Sequence, residues 1–200
     1  MNTTRPYRQS ARAEARARTR ERILEGAESL YRRGWYDHVT LRDVAVEADV
    51  AVQTVVNHFG TKAGLLAAVA ETMGARIASR RDEIAPGDAA GGVAMLIGEY
   101  EELGDAIVRM IALEDRVEEL IPLLAHGRQV HREWVQRVFA EAIPQSPKTE
   151  RERRTAGFIA ATDVLTWKIL RREQGLSRRA TEIAMRDTVL ALYDRQKGAT

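Results

Sequence analysis

The chain has 200 residues, 44% of them hydrophobic, enough for a buried core and above the range of disordered chains. Its 31 Lys and Arg against 29 Asp and Glu give a formal charge of only +2. Cysteine is absent, which excludes a disulfide framework and a cysteine nucleophile and fits a reducing compartment.

The charge is unevenly spread. Residues 1–22 hold seven arginines (Arg5, Arg8, Arg12, Arg16, Arg18, Arg20 and Arg22) against Glu14 and Glu21, so the rest of the chain is slightly acidic. A basic head on an acidic body suggests a polyanionic partner. The N-terminus lacks the apolar stretch of a signal peptide. The longest apolar run, Ala63 to Ala70, is far short of the ~20 residues that span a bilayer. The expectation is a soluble, cytoplasmic protein with no membrane partner.

Apolar residues recur at three- and four-residue spacing in an Ala-, Leu-, Arg- and Glu-rich chain, so it reads as all-α with about nine helices. Residues 1–18 read as a basic, flexible arm, with a first helix from about Arg12 to Arg33. Ile23, Ala27, Leu30 and Tyr31 form its apolar stripe, and Gly34 stops it. Thr40 with Asp43 reads as a capping box for a short helix that buries Leu41, Val44 and Ala45. Asp49 and Val50 fall at a tight turn. The valine-rich segment from Val50 to Val56 favours a strand by propensity alone. It lies between short helices without a strand partner, so a third helix is expected, ending near Phe59 and Gly60. Thr61 caps a long fourth helix to about Glu83.

Further on, Pro86, Gly87, Gly91 and Gly92 mark a loop. Helices are then expected over about 90–103, 105–116 and 122–142, with a turn from Pro144 to Pro147. Thr149 and Glu152 read as a capping box for a helix to about Glu173. Gly175 ends that helix, and Ser177 caps the last one, to about Lys197.

Two short helices joined by a tight turn and braced by a longer first helix make a helix-turn-helix. The second helix of such a unit enters the major groove. Gln53, Thr54, Asn57 and His58 are the polar residues placed there, with Val50 and Val55 facing inward. Arg42 suits bidentate reading of guanine. Thr40 and Thr61 put helix N-termini where phosphates can lie, and Lys62 adds a charge.

At these residues the chain resembles the TetR family of bacterial regulators. The pattern runs from Ile23-Leu24-Glu25-Gly26-Ala27 through Gly34-Trp35-Tyr36 and Thr40-Leu41-Arg42-Asp43-Val44-Ala45. It continues with Ala48-Asp49-Val50 and Thr54, and closes at His58-Phe59-Gly60-Thr61-Lys62. The resemblance covers about residues 19–66, with a weaker one from Asp163 to Ser177. It implies a DNA-binding domain at 19–65 and a ligand-binding and dimerisation domain at 66–200. It also implies a homodimer through the last two helices and a small-molecule effector that respaces the two DNA heads. The function expected is a repressor released by inducer from a palindromic operator in double-stranded DNA. On this resemblance Thr40 and Lys62 contact phosphates, while Arg42, Val52, Gln53, Thr54 and His58 sit at the groove. Two positions depart from the family pattern: Ala51 replaces a Ser or Thr cap, and Val56 replaces an aromatic.

Beyond residue 66 the signals are thinner. Met95, Tyr100, Met110, Trp134, Asp163 and Trp167 are candidates to line an effector pocket, with Asp163 either orienting a ligand or serving an internal hydrogen bond. Ile183, Met185, Val189, Leu190 and Leu192 exceed one buried stripe, as a dimer helix requires. His126 and His131 lie five apart, off a common helix face, so a metal pair is not expected, and both read as surface or pocket-edge residues. No cofactor is expected. The chain has no phosphate-cradling glycine motif, metal spacing or triad, so an enzyme is not expected. A DNA-binding protein without a small-molecule switch shares every head residue and stays open as the alternative.

Overall fold

Arg, Ala and Glu are strong helix formers, and nothing breaks their run before Gly34. In the computed structural model, which describes residues 4–143 and 147–197, the first helix, α1 (Thr4–Arg33), accordingly starts well before Arg12. Pro6 falls in its first turn, where a missing N–H costs nothing. The expected flexible arm over 1–18 is therefore helical from Thr4 onward. The chain divides into two compact units, with the boundary between Met73 and Gly74.

The N-terminal unit holds α1, a 3₁₀ turn (Tyr36–His38), α2 (Leu41–Glu47), α3 (Val52–Phe59) and the first half of α4 (Lys62–Asp82). Its core joins Ile23, Ala27 and Tyr31 with Val44, Ala45, Val55, Leu65 and Leu66, all buried. Thr40 caps α2 as expected: its Oγ1 accepts from the Asp43 N–H at 3.2 Å, and its own N–H donates to the Asp43 carboxylate at 2.8 Å. Asp49 makes the turn with φ of 51°, a left-handed conformation that short polar side chains tolerate. The valine segment is helical because Val55 must sit in this core, fully buried, and tertiary packing outweighs propensity. Gly64 allows the first turn of α4 to close on α3: a Cβ there would lie 2.3 Å from the Phe59 carbonyl oxygen.

The C-terminal unit contains α5 (Ala89–Leu113), α6 (Leu120–Val138), a 3₁₀ turn (Ala140–Ala142), α7 (Lys148–Thr162), α8 (Val164–Lys168), a π-turn (Ile169–Glu173) and α9 (Arg178–Lys197). Its core includes Leu96, Ile97, Tyr100, Trp134, Phe139, Phe158, Trp167, Met185 and Val189. Phe139 stacks on Phe158 with centroids 4.6 Å apart. Several boundaries differ from the sequence reading: Gly91 and Gly92, expected in a loop, lie inside α5, and α6 ends at Val138 instead of near Ala142. The expected break near Gly104 is absent, and α5 is continuous. Gly104 is instead a contact point, because a Cβ there would lie 2.5 Å from the Trp167 ring. The expected long helix to Glu173 is split at Asp163, which is extended (φ −72°, ψ 150°) and caps α8 by accepting from the Leu165 N–H at 2.8 Å. The capping box of Thr149 and Glu152 does not form, since α7 begins at Lys148, with Pro147 rather than Thr149 as its N-cap and no side-chain bond there. Ser177 does cap α9, accepting from Ala180 N–H at 3.2 Å. Residues 144–146 of the expected turn lie outside the described residues.

Candidate nucleic-acid interface

The chemistry of α3 follows from which of its residues the core consumes. Val55 is spent on packing, and Phe59 and Val56 are half-buried. Gln53 and Asn57 lie one turn apart on the exposed side, where the Gln53 amide donates to the Asn57 carbonyl oxygen at 2.9 Å. That bond orients two amides side by side and leaves donors and acceptors on both, the pattern that reads the adenine edge in the major groove. Val52 is also exposed, an apolar surface of the kind that meets a thymine methyl. Thr54 and His58 are half-buried, flanking this strip.

Two residues outside α3 complete the surface. Arg42 is exposed on α2. Glu47, at the far end of α2 and off the face of Arg42, is engaged elsewhere: Arg33 donates to it at 2.7 and 3.0 Å and Ser29 at 3.3 Å, bracing α1 against α2. Asp43 is occupied by Thr40, whose hydrogen bonds hold its carboxyl below the usual carboxylate range. Lys62 stands at the start of α4, where its ammonium donates to the Asp37 carbonyl at 3.3 Å and lies 4.2 Å from the centre of the Tyr36 ring. This anchorage positions the charge at the start of α4.

The two departures have visible consequences. Ala51 is the N-cap of α3 and supplies no side-chain bond, leaving the first-turn N–H groups of α3 without a side-chain acceptor. Val56 leaves the C-terminal half of α3 without an aromatic at that position, and Arg20 of α1 covers the neighbouring Phe59 ring at 5.3 Å. Burial, then the charges of Arg16 and Arg20, push the His58 imidazole below its usual range. The closeness of α1 arginines to α3 was not foreseen from sequence, although their four-residue spacing was available as a signal.

Residues 23–69 match the family model for bacterial regulatory proteins of the tetR family. That segment is of the TetR type. The match spans the helix-turn-helix and the start of α4, so every DNA-facing candidate above, from Thr40 to Lys62, lies inside the TetR segment. The family so matched is one of bacterial regulatory proteins. The whole chain is similar in fold to a TetR-family regulator from Streptomyces coelicolor (TM-score 0.69, 17% identity, covering 92% of this chain and 86% of that one). It is also similar to one from Mesorhizobium loti (0.63, 17%, 88% and 96%) and to a transcriptional regulator from Pseudomonas aeruginosa (0.65, 16%, 88% and 90%). At these identities the likeness speaks for the fold. No curated protein matches the chain. Among the described residues no helix is long and apolar enough to cross a membrane.

In the C-terminal unit most of the expected pocket residues are engaged internally. The Tyr100 hydroxyl donates to the Thr162 carbonyl at 2.8 Å, and Trp167 Nε1 donates to Glu101 at 3.1 Å. Asp163 is the α8 cap, the internal use that sequence reading leaves open. Met95 packs against the core and Met110 is half-buried. Trp134 is different: it is 4% exposed and its Nε1 has no partner among the described residues. Beside it His131, expected at the surface or at a pocket edge, is 8% exposed and stacked on the Trp134 ring. Thr162 gives its hydroxyl proton to the Phe158 carbonyl at 2.7 Å. The 3.1 Å contact between Thr162 Oγ1 and His131 Nε2 must then use the Nε2 proton. His131 Nδ1 is left as a buried acceptor without a donor, and burial lowers the imidazole pKa to about 3.

Proposed function

We propose that the chain is a homodimeric, sequence-specific repressor that reads a palindromic operator and leaves it when a small molecule binds the C-terminal unit. Arg42, Val52, Gln53, Thr54 and Asn57 face base edges, while Thr40, His58 and Lys62 hold the phosphates beside them. The observation that carries this reading is that the fold leaves Arg42 and the Gln53–Asn57 amide pair exposed and uncommitted to its core.

Dimerisation through the last helices is supported by apolar side chains left outside the core. Leu165 and Ile169, after the break at Asp163, and Ile183 and Leu190 on α9 are all exposed, whereas Met185 and Val189 of α9 are fully buried. α9 is thus apolar on two sides, and a second copy is the natural cover. The effector reading is supported by the paired orphans of α6. Trp134 offers a buried donor and neutral His131 a buried acceptor. Unpaired buried polar groups cost roughly 1–3 kcal/mol each, a cost that a ligand with a matching donor and acceptor removes.

The test is selection of binding sites from a randomised duplex library, followed by titration of the selected duplex with Arg42→Ala and Gln53→Ala variants. A palindromic site that both variants bind less tightly supports the reading. Enrichment of no sequence overturns it. The selected duplex then serves as the probe for compounds that release the protein, and Trp134→Phe should weaken the response to any such compound.

A further inference from the structure

Successive residues of an α-helix advance by about 100°, so a spacing of four keeps side chains on one face. Arg12, Arg16 and Arg20 fall within an arc of about 80° on α1, and all three are exposed. Their face is continuous with the one that carries the buried Ile23 and Ala27 further along the same helix. The acids of this stretch are segregated: Glu14, Glu21 and Glu25 lie on the opposite face, within an arc of about 40°. Glu14, between Arg12 and Arg16 in sequence, pairs with Arg18 at 4.0 Å and not with the stripe. The side of α1 that becomes the core contact after residue 22 is, before it, a row of arginines.

The position of the row is given by its contacts. The Arg20 guanidinium lies over the Phe59 ring at the C-terminal end of α3, 5.3 Å from its centre. Arg16 and Arg20 are close enough to His58 for their charges to bear on it. The stripe therefore runs out from the same side of the unit that presents α3. Solvated arginines on a helix are commonly interspersed with acids that offset them. A one-sided row keeps like charges together, which costs self-repulsion and favours a polyanion.

We propose that α1 carries a second DNA-contacting element, in which Arg12 and Arg16 bind backbone phosphates of duplex flanking the bases read by α3. Arg20 holds α1 in register against Phe59. This inference rests on the operator reading above and extends it outward along the duplex. Phosphate contacts add affinity and salt sensitivity without changing which bases are preferred, and they offset the missing cap at Ala51.

The experiment compares the full chain with its Arg12→Ala/Arg16→Ala variant by titrating the selected operator and a random duplex at several salt concentrations. A second variant, Arg12→Lys/Arg16→Lys, keeps the charge, and circular dichroism checks the helix. Removing one arginine–phosphate pairing flattens the slope of log K against log salt by about 0.9. The alanine variant of a dimer should therefore be flatter by up to about 3.6, with base preference unchanged and the lysine variant close to wild type. Equal slopes and affinities for wild type and alanine variant, with helix content retained, overturn the inference while leaving operator recognition standing. If the wild type selects no operator, that reading fails separately. The slope difference on random duplex then supports or overturns the arginine stripe by itself.

Discussion

The two units of this molecule treat polar side chains in opposite ways. In the N-terminal unit the core is almost purely apolar, and Arg42, Gln53 and Asn57 stay outside it. In the C-terminal unit polar groups are drawn inside. Arg81 and Glu99 form a buried ion pair at 2.6 Å, Arg137 donates to the Ile84 and Arg81 carbonyls at 2.7 and 2.6 Å, and Tyr100, Trp167 and Asp163 all have internal partners. The difference teaches where to look for ligand contacts. In the head they are the polar groups that the fold does not use. In the body, on the proposed reading, they are among the buried ones that it fails to satisfy: the adjacent His131 Nδ1 and Trp134 Nε1, besides Thr181 Oγ1 and the Tyr193 hydroxyl.

The sharpest way to break this contrast is to remove one body charge. Glu99→Ala strands the buried Arg81, and removal of one partner of a buried pair typically costs about 3–5 kcal/mol. The expected outcome is a large fall in the urea midpoint, and a change of under about 0.5 kcal/mol would mean that the pair is not structural. The converse in the head is Arg42→Ala, which should leave the urea midpoint unchanged while costing about 1–3 kcal/mol of base discrimination per half-site. Titration of matched and mismatched duplexes measures it, and an equal fall in affinity on both would reassign Arg42 to a phosphate.

Acid sharpens the comparison next. The unfolded His131 binds a proton near pH 6.5, whereas the folded one resists it down to about pH 3. Below pH 6.5 the unfolded state therefore holds more protons, and stability falls as pH is lowered. At pH 5 the fall is about 2 kcal/mol. His131→Gln should flatten this limb of the stability curve, and an unchanged limb would show that His131 is solvated. The smallest effect belongs to the head. Ala51→Ser restores a side-chain cap to α3 and should stabilise it by about 1 kcal/mol, read as a higher midpoint together with tighter, more salt-sensitive DNA binding.

Much of the head was legible in the sequence because its determinants are local. The capping pattern at Thr40 and Asp43, the tight turn at Asp49 and the cap at Thr61 each depend on residues within a few positions, and all three form. The valine run was the exception to local propensity, and its flanking helices were enough to correct it. The body was legible only as alternating helices and breaks, and here glycine misled. Gly104 resembles a helix stop until Trp167, more than sixty residues away, is seen to need the space. Asp163 gave no such sign, yet it is where the backbone turns: Phe158 and Ala161 before it are buried, while Leu165 and Ile169 after it are exposed.

By itself the sequence determined the all-α class, the helix-turn-helix and the DNA-facing candidates, because helical periodicity, caps and a tight turn are encoded over one or two turns of chain. Tertiary structure decided that Arg20 reaches Phe59, that Glu47 is taken by Arg33, and that His131 is buried with one nitrogen unpaired. Those outcomes depend on which distant surfaces compete for the same polar group, and that competition exists only once the helices have packed.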